Sequence, residues 1–126
     1  MIVFTNGCFD VLHRGHMELL KYCREIGTKV IVGINSDNSV TGLKGPTGPH
    51  FNQKDRKCML ESCKYVDEVL IFDQADPYEL IKQVKPDIIV KGGDYTPNEV
   101  VGSDIAKVKI FNYIDGYSTT KILEKK

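Results

Sequence analysis

Two of the chain's three histidines, His13 and His16, stand three residues apart in the segment TNGCFDVLHRGH, Thr5 to His16. The segment joins a short β-branched run to a helical pattern, so both rings fall where a strand gives way to the first turn of a helix. That turn has N–H groups without intrahelical partners and a partial positive charge, a setting suited to phosphate. Imidazoles just before and just inside it can aim at one anion and donate hydrogen bonds as its charge builds in a transition state. The plain alternative is a pair of helix-capping histidines without chemistry. Gly7 reads as the residue that permits a tight turn after the strand, and Gly15 as the one that lets backbone approach a ligand at the helix start.

Other residues fit a polyphosphate site. In STTKI the hydroxyls of Ser118, Thr119 and Thr120 stand at a new helix start, which makes either a second anion pocket or an ordinary helix cap. Lys44, in TGLKGPTGP, is the candidate loop cation, with a solvated lysine as the alternative. The polar stretch Ser36 to Gln53 is long for a plain connection, and its glycines suggest a lid closing over bound triphosphate. VKGGDY brings Gly92, Gly93 and Asp94 to a strand end where backbone can approach a nucleotide; Asp94 contacts nucleotide or metal-bound water, or is a turn residue. Asp10 reads as metal-linked or turn-forming.

Strand and helix signals alternate around these residues. Strands are expected over Ile2–Thr5, ending at the turn signal Asn6-Gly7, then over Lys29–Asn35, Val66–Phe72, Pro86–Gly93 and Lys107–Asn112. Helices are expected over Gly15–Ile26, with Gly27 past its end, and over Gln53–Tyr65, with Met59, Leu60 and Cys63 inward. A third runs from the candidate cap Asp76 through Val84, with Pro77 at its first position, and a fourth closes the chain from Ser118. The alternation implies a Rossmann-like α/β fold, a parallel sheet with helices on both faces, in one domain over residues 1–126. Ligands then collect beyond the carboxyl ends of the strands, where NGCFD, NSD, KGGD and DGYSTT all fall.

Seventeen basic and seventeen acidic residues balance, which speaks against nucleic acid or an anionic membrane as the main partner. Cys8, Cys23, Cys58 and Cys63 form no C-x-x-C pair and no zinc spacing, as expected of reduced cytosolic thiols. No apolar run approaches the ~20 residues of a membrane span, and the opening MIVFTNG has no basic leader. A cytoplasmic protein is the expectation.

GCFDVLHRGH resembles the signature of the HxGH nucleotidyltransferases, which include cytidylyltransferases and heptose-phosphate adenylyltransferases, and GYSTTKI is similar to that family's second signature. The resemblance implies transfer of a nucleotidyl group from a nucleoside triphosphate to a small phosphorylated sugar or polyol, with release of pyrophosphate. It also implies dependence on Mg²⁺ and a homodimer. His13, His16 and Lys44 would take up charge on the triphosphate. Asn6, Gly7, Cys8, Phe9 and Asp10, with the STT hydroxyls, would position it, and Arg56 resembles an arginine the family places near the phosphates, a surface helix arginine being the alternative.

KGGDYTPNEVVG and LKGPT are similar to the heptose-phosphate adenylyltransferases, which favours AMP transfer from ATP to a heptose 1-phosphate. Lys121 in STTKI is closer to the cytidylyltransferase form, which keeps CTP and glycerol 3-phosphate as the alternative. Thr41-Gly42 and Gly48 stand where the heptose branch has basic residues, so a nucleotide-binding module without turnover is the second alternative. The sugar-kinase domain fused to many heptose enzymes is not in this sequence.

Overall fold

In the computed structural model, residues 1–45, 48–93 and 95–112 are described, apart from the side chain of Lys44. Five strands, β1 (Ile2–Gly7), β2 (Lys29–Asn35), β3 (Glu68–Phe72), β4 (Ile88–Gly92) and β5 (Lys107–Phe111), form one sheet in the order β3-β2-β1-β4-β5. Every neighbouring pair is parallel. The order reverses between β1 and β4, so the crevice beyond their carboxyl ends is the expected ligand position. This is the Rossmann-like α/β arrangement that the alternating signals imply.

Side chains alternate along each strand, and both faces are covered. On one face Leu19, Leu20 and Cys23 of α1 (Arg14–Ile26) and Leu60 of α3 (Gln53–Glu61) pack with Val3, Val30, Val32 and Val90. On the other, Ile81 of α4 (Tyr78–Val84) and Val100 pack with Phe4, Ile31 and Ile89. The run KVIVGIN is buried from Val30 onward because it lies inside the sheet with layers above and below.

Several expectations are corrected. β1 continues through Gly7, paired to Ile34 of β2, so Asn6-Gly7 is strand rather than turn. Gly27 follows α1 in extended conformation, not as a left-handed cap; a Cβ there would lie 2.3 Å from Cγ2 of Val3, so glycine allows a close approach to β1. Within the expected loop, Asp37–Lys44 forms a helix, α2, capped by the Ser36 hydroxyl, which accepts from Ser39 N–H at 3.1 Å, and anchored by the fully buried Val40. That stretch reads as loop because its one buried apolar residue gives no periodicity. Pro77 itself is the cap position of α4, while the Asp76 carboxylate accepts from Tyr78 N–H at 2.9 Å.

The largest difference is in α3, which ends at Glu61: Leu60 and, just past the helix, Cys63 pack on the core as expected, but Met59 does not. Met59 is 59% exposed, whereas Arg56 is only 1% exposed and lies on the inward face with Leu60. The expected closing helix from Ser118 lies outside the described residues.

Candidate active site

The turn from β1 into α1 is made by Phe9, whose φ of +47° is in the left-handed region that non-glycine residues avoid. Its ring is buried in the core and lies against the His16 ring, centroids 5.2 Å apart. The side chain of Phe9 therefore helps to hold the loop against α1. A Cβ on Gly7 would approach that ring to 3.3 Å, so the glycine makes room for it.

His13 is the cap residue of α1. Its Nδ1 accepts from Gly15 N–H at 3.0 Å, and Nδ1 of His16 accepts from His13 N–H at 3.2 Å. The Gly15 N–H thus serves the cap. Because both Nδ1 atoms accept, the neutral rings must carry their protons on Nε2. The ring centroids are 4.0 Å apart. Burial, and then the proximity of His13, depress the pKa of His16 to about 4; burial also lowers that of His13. Near neutral pH the pair is two uncharged N–H donors of fixed tautomer.

Arg56 braces the site from below. Its guanidinium donates to the carbonyls of Phe51, Cys8 and Asn35 at 3.0, 2.8 and 2.8 Å, and to Asp37 at 2.9 Å. The side chain is fully buried, so the phosphate-facing arginine expected from the sequence is instead a strut tying the β1–α1 loop to β2, α2 and α3. Asn35 is a second junction: its amide donates to Ser39 at 2.9 Å, and Cys8 Sγ lies 3.8 Å from its Oδ1.

Asp10 accepts through its two oxygens from His50 N–H at 2.5 Å and Phe51 N–H at 2.7 Å. These are contacts across 40 and 41 residues, so Asp10 ties the β1–α1 loop to the segment before α3 rather than forming a turn of its own. Among the described residues no three carboxylate, imidazole or thiol groups gather as metal ligands.

A cleft of about 280 Å³ opens beside these residues, reached by Asn6 and Gly7 of β1, Asn35 of β2 and Lys91 of β4. The structure therefore brings together His13, His16, Gly15 and Phe9, with Asn6, Gly7 and Cys8 alongside. Gly92 ends β4, and Gly93 follows at φ +115°. Lys44 ends α2 with its side chain outside the description. Asp94, Ser118, Thr119 and Thr120 lie outside the described residues. Lys91 and Asn35 were not singled out by sequence reasoning; the available signal was their place at or next to the last residue of an apolar parallel strand. Among the described residues no helix is long and apolar enough to cross a membrane.

Comparison with known proteins agrees with this geometry. The Bifunctional protein HldE of a Nitratiruptor species is 57% identical over 125 residues, 98% of this chain and 27% of that protein. Its counterpart in Campylobacter concisus is 50% identical over 98% of this chain and 26% of that protein. The chain thus spans about a quarter of the length of these relatives. The lipopolysaccharide core biosynthesis protein of Thermoplasma volcanium superposes with a TM-score of 0.73 at 28% identity, covering 90% of this chain and 96% of that one. Pantothenate synthetase from Thermus thermophilus, at 16% identity and a TM-score of 0.65 over 95% of this chain and 59% of that one, shares the fold. Residues 4–125 match the family described as Cytidylyltransferase-like, and with its paired histidines at the head of α1 the chain belongs to that family.

Proposed function

We propose that residues 1–126 are a nucleotidyltransferase domain that moves AMP from ATP to a sugar phosphate such as D-glycero-D-manno-heptose 1-phosphate, forming an NDP-sugar and pyrophosphate. The observation that carries this reading is the His13–His16 pair, 4.0 Å apart between centroids and locked as Nε2–H donors at the head of α1. The likeness to proteins named HldE and the KGGDYTPNEVVG segment support the adenylyl and heptose parts.

An oxygen of the acceptor's phosphate attacks the α-phosphorus in line, forming the new P–O bond. The bond from the α-phosphorus to the bridging oxygen breaks, and pyrophosphate leaves with the electron pair. A phosphate oxygen is already nucleophilic, so alignment and charge stabilisation carry the catalysis. His13 and His16 donate to triphosphate oxygens as charge builds on them. Lys44, Asp94 and the hydroxyls of Ser118, Thr119 and Thr120 belong to this proposal through the family resemblance. Were Mg²⁺ bound, it would neutralise charge on the triphosphate, and Asp10, whose oxygens each keep a lone pair beside the N–H they accept, would be the residue at hand to hold it or its water.

The test is pyrophosphate release with ATP, CTP, GTP and UTP against sugar and polyol phosphates. ATP with a heptose 1-phosphate should dominate. CTP with glycerol 3-phosphate dominating would replace this reading with the cytidylyl one, and nucleotide binding without release would make the chain a binding module. A cytoplasmic homodimer is part of the proposal, and its dimeric state is checked by sedimentation.

A further inference from the structure

Lys91 is the last residue but one of β4, and its side chain reaches into the 280 Å³ cleft. Burial lowers its pKa, and among the described residues its ammonium makes no ion pair. It lies 5.5 Å above the centre of the Tyr95 ring, a contact that offsets part of the desolvation. A half-buried cation without a carboxylate partner is incomplete until an anion joins it.

The rest of the cleft restricts which anion that is. Asp76 and Glu99 also line it, each with one carboxylate oxygen held by backbone N–H, from Tyr78 at 2.9 Å and Thr96 at 3.2 Å. Fixed carboxylates repel a polyphosphate, yet they are good acceptors for the hydroxyl groups of a sugar. The volume is near the lower end of small-ligand sites, roughly 300 Å³, which suits a phosphorylated monosaccharide. Asn6 and Gly7 form the wall shared with the β1–α1 loop, so a ligand here lies next to the histidines.

We propose that this cleft is the acceptor subsite, in which Lys91 binds the acceptor's phosphate and Asp76 and Glu99 accept hydrogen bonds from its hydroxyls. The inference rests on the nucleotidyltransferase reading above and assigns the half of the site that the histidines leave undefined. One cation facing one phosphate, with carboxylates around it, selects a hydroxyl-rich monophosphate over a second nucleotide.

The test is steady-state pyrophosphate release with ATP and D-glycero-D-manno-heptose 1-phosphate in Lys91→Met, Lys91→Arg and Glu99→Gln. Methionine keeps the unbranched stem, so a melting temperature like that of the wild type confirms folding. Lys91→Met should raise KM for the sugar phosphate roughly tenfold to a hundredfold, as for loss of a charge-assisted hydrogen bond, with KM for ATP within about twofold. Lys91→Arg should recover most of that loss, and Glu99→Gln should weaken the sugar phosphate alone. A rise in KM for ATP instead assigns the cleft to the nucleotide and overturns the proposal, as does an unchanged KM for the sugar phosphate. Should the wild type turn over no acceptor, the transferase reading fails and binding decides the subsite. Amide shifts at Asn35, Lys91 and Val100 on adding mannose 1-phosphate then support it, and their absence overturns it.

Discussion

The backbone N–H of His13 donates to Nδ1 of His16 at 3.2 Å, while Nδ1 of His13 accepts from Gly15 N–H at 3.0 Å. The capping and chemical readings of this pair are therefore not alternatives. Capping occupies one nitrogen of each ring, and in doing so it fixes the proton on the other, the atom a phosphate would meet.

Capping and catalysis can be separated at His13. Asparagine caps helices well but lacks a donor at the position of Nε2. His13→Asn should hold stability within about 1 kcal/mol and lower turnover by roughly 10²-fold, while His13→Ala also loses the cap, about 1 kcal/mol. Urea unfolding beside pyrophosphate release checks both; equal turnover by His13→Asn and wild type would remove His13 from the mechanism.

The depressed pKa of His16 makes a stability prediction. Its folded value of about 4 lies below the ordinary 6.5, so in the folded protein the ring stays neutral where the unfolded chain takes up a proton. This contribution is complete above pH 6.5 and declines as pH falls toward 4, at up to about 1.4 kcal/mol per pH unit. Replacing His16 with glutamine should flatten that part of the stability profile measured by urea midpoints, and an unaltered slope would assign the acid sensitivity elsewhere.

Arg56→Met should destabilise by about 3–5 kcal/mol, because it leaves the carbonyls of Cys8, Phe51 and Asn35 and the Asp37 carboxylate without their buried donor. Lysine cannot reproduce the planar fork, so Arg56→Lys should rescue little. Wild-type stability combined with a raised KM for ATP would return Arg56 to the phosphates.

For Asp10→Asn, one of the two backbone N–H groups at His50 and Phe51 loses its acceptor, at about 1–3 kcal/mol of local stability. Amide exchange at both residues should quicken, and the Mg²⁺ concentration for half-maximal rate should rise. An unshifted Mg²⁺ requirement would remove the metal role.

Lys44→Ala should mainly weaken triphosphate affinity, seen as a raised KM for ATP. An unchanged dependence of rate on ATP would set Lys44 aside.

Much of the site was legible because its signals are local. A β-branched run followed by two histidines at helix-start spacing announces a strand and an anion-suited helix end whatever surrounds them, and the alternation of such runs announces a parallel sheet. Burial is different, being decided by partners far along the chain. Periodicity gave α3 an apolar stripe through Met59, Leu60 and Cys63, but the polar carbonyls of Cys8 and Asn35 converge beneath that helix and turn Arg56 inward, leaving Met59 in solvent. Likewise the sequence marks the KGGD strand end but not Lys91 within it, since the cleft it enters is assembled from strand ends brought together by the β3-β2-β1-β4-β5 order. The layers, the histidine pair and the end of the sheet where chemistry gathers could all be read from the order of residues, because they follow from short-range pattern and backbone geometry. Which cation braces the site and which one faces its cleft was settled on folding, because that depends on desolvation by residues the chain brings in from elsewhere.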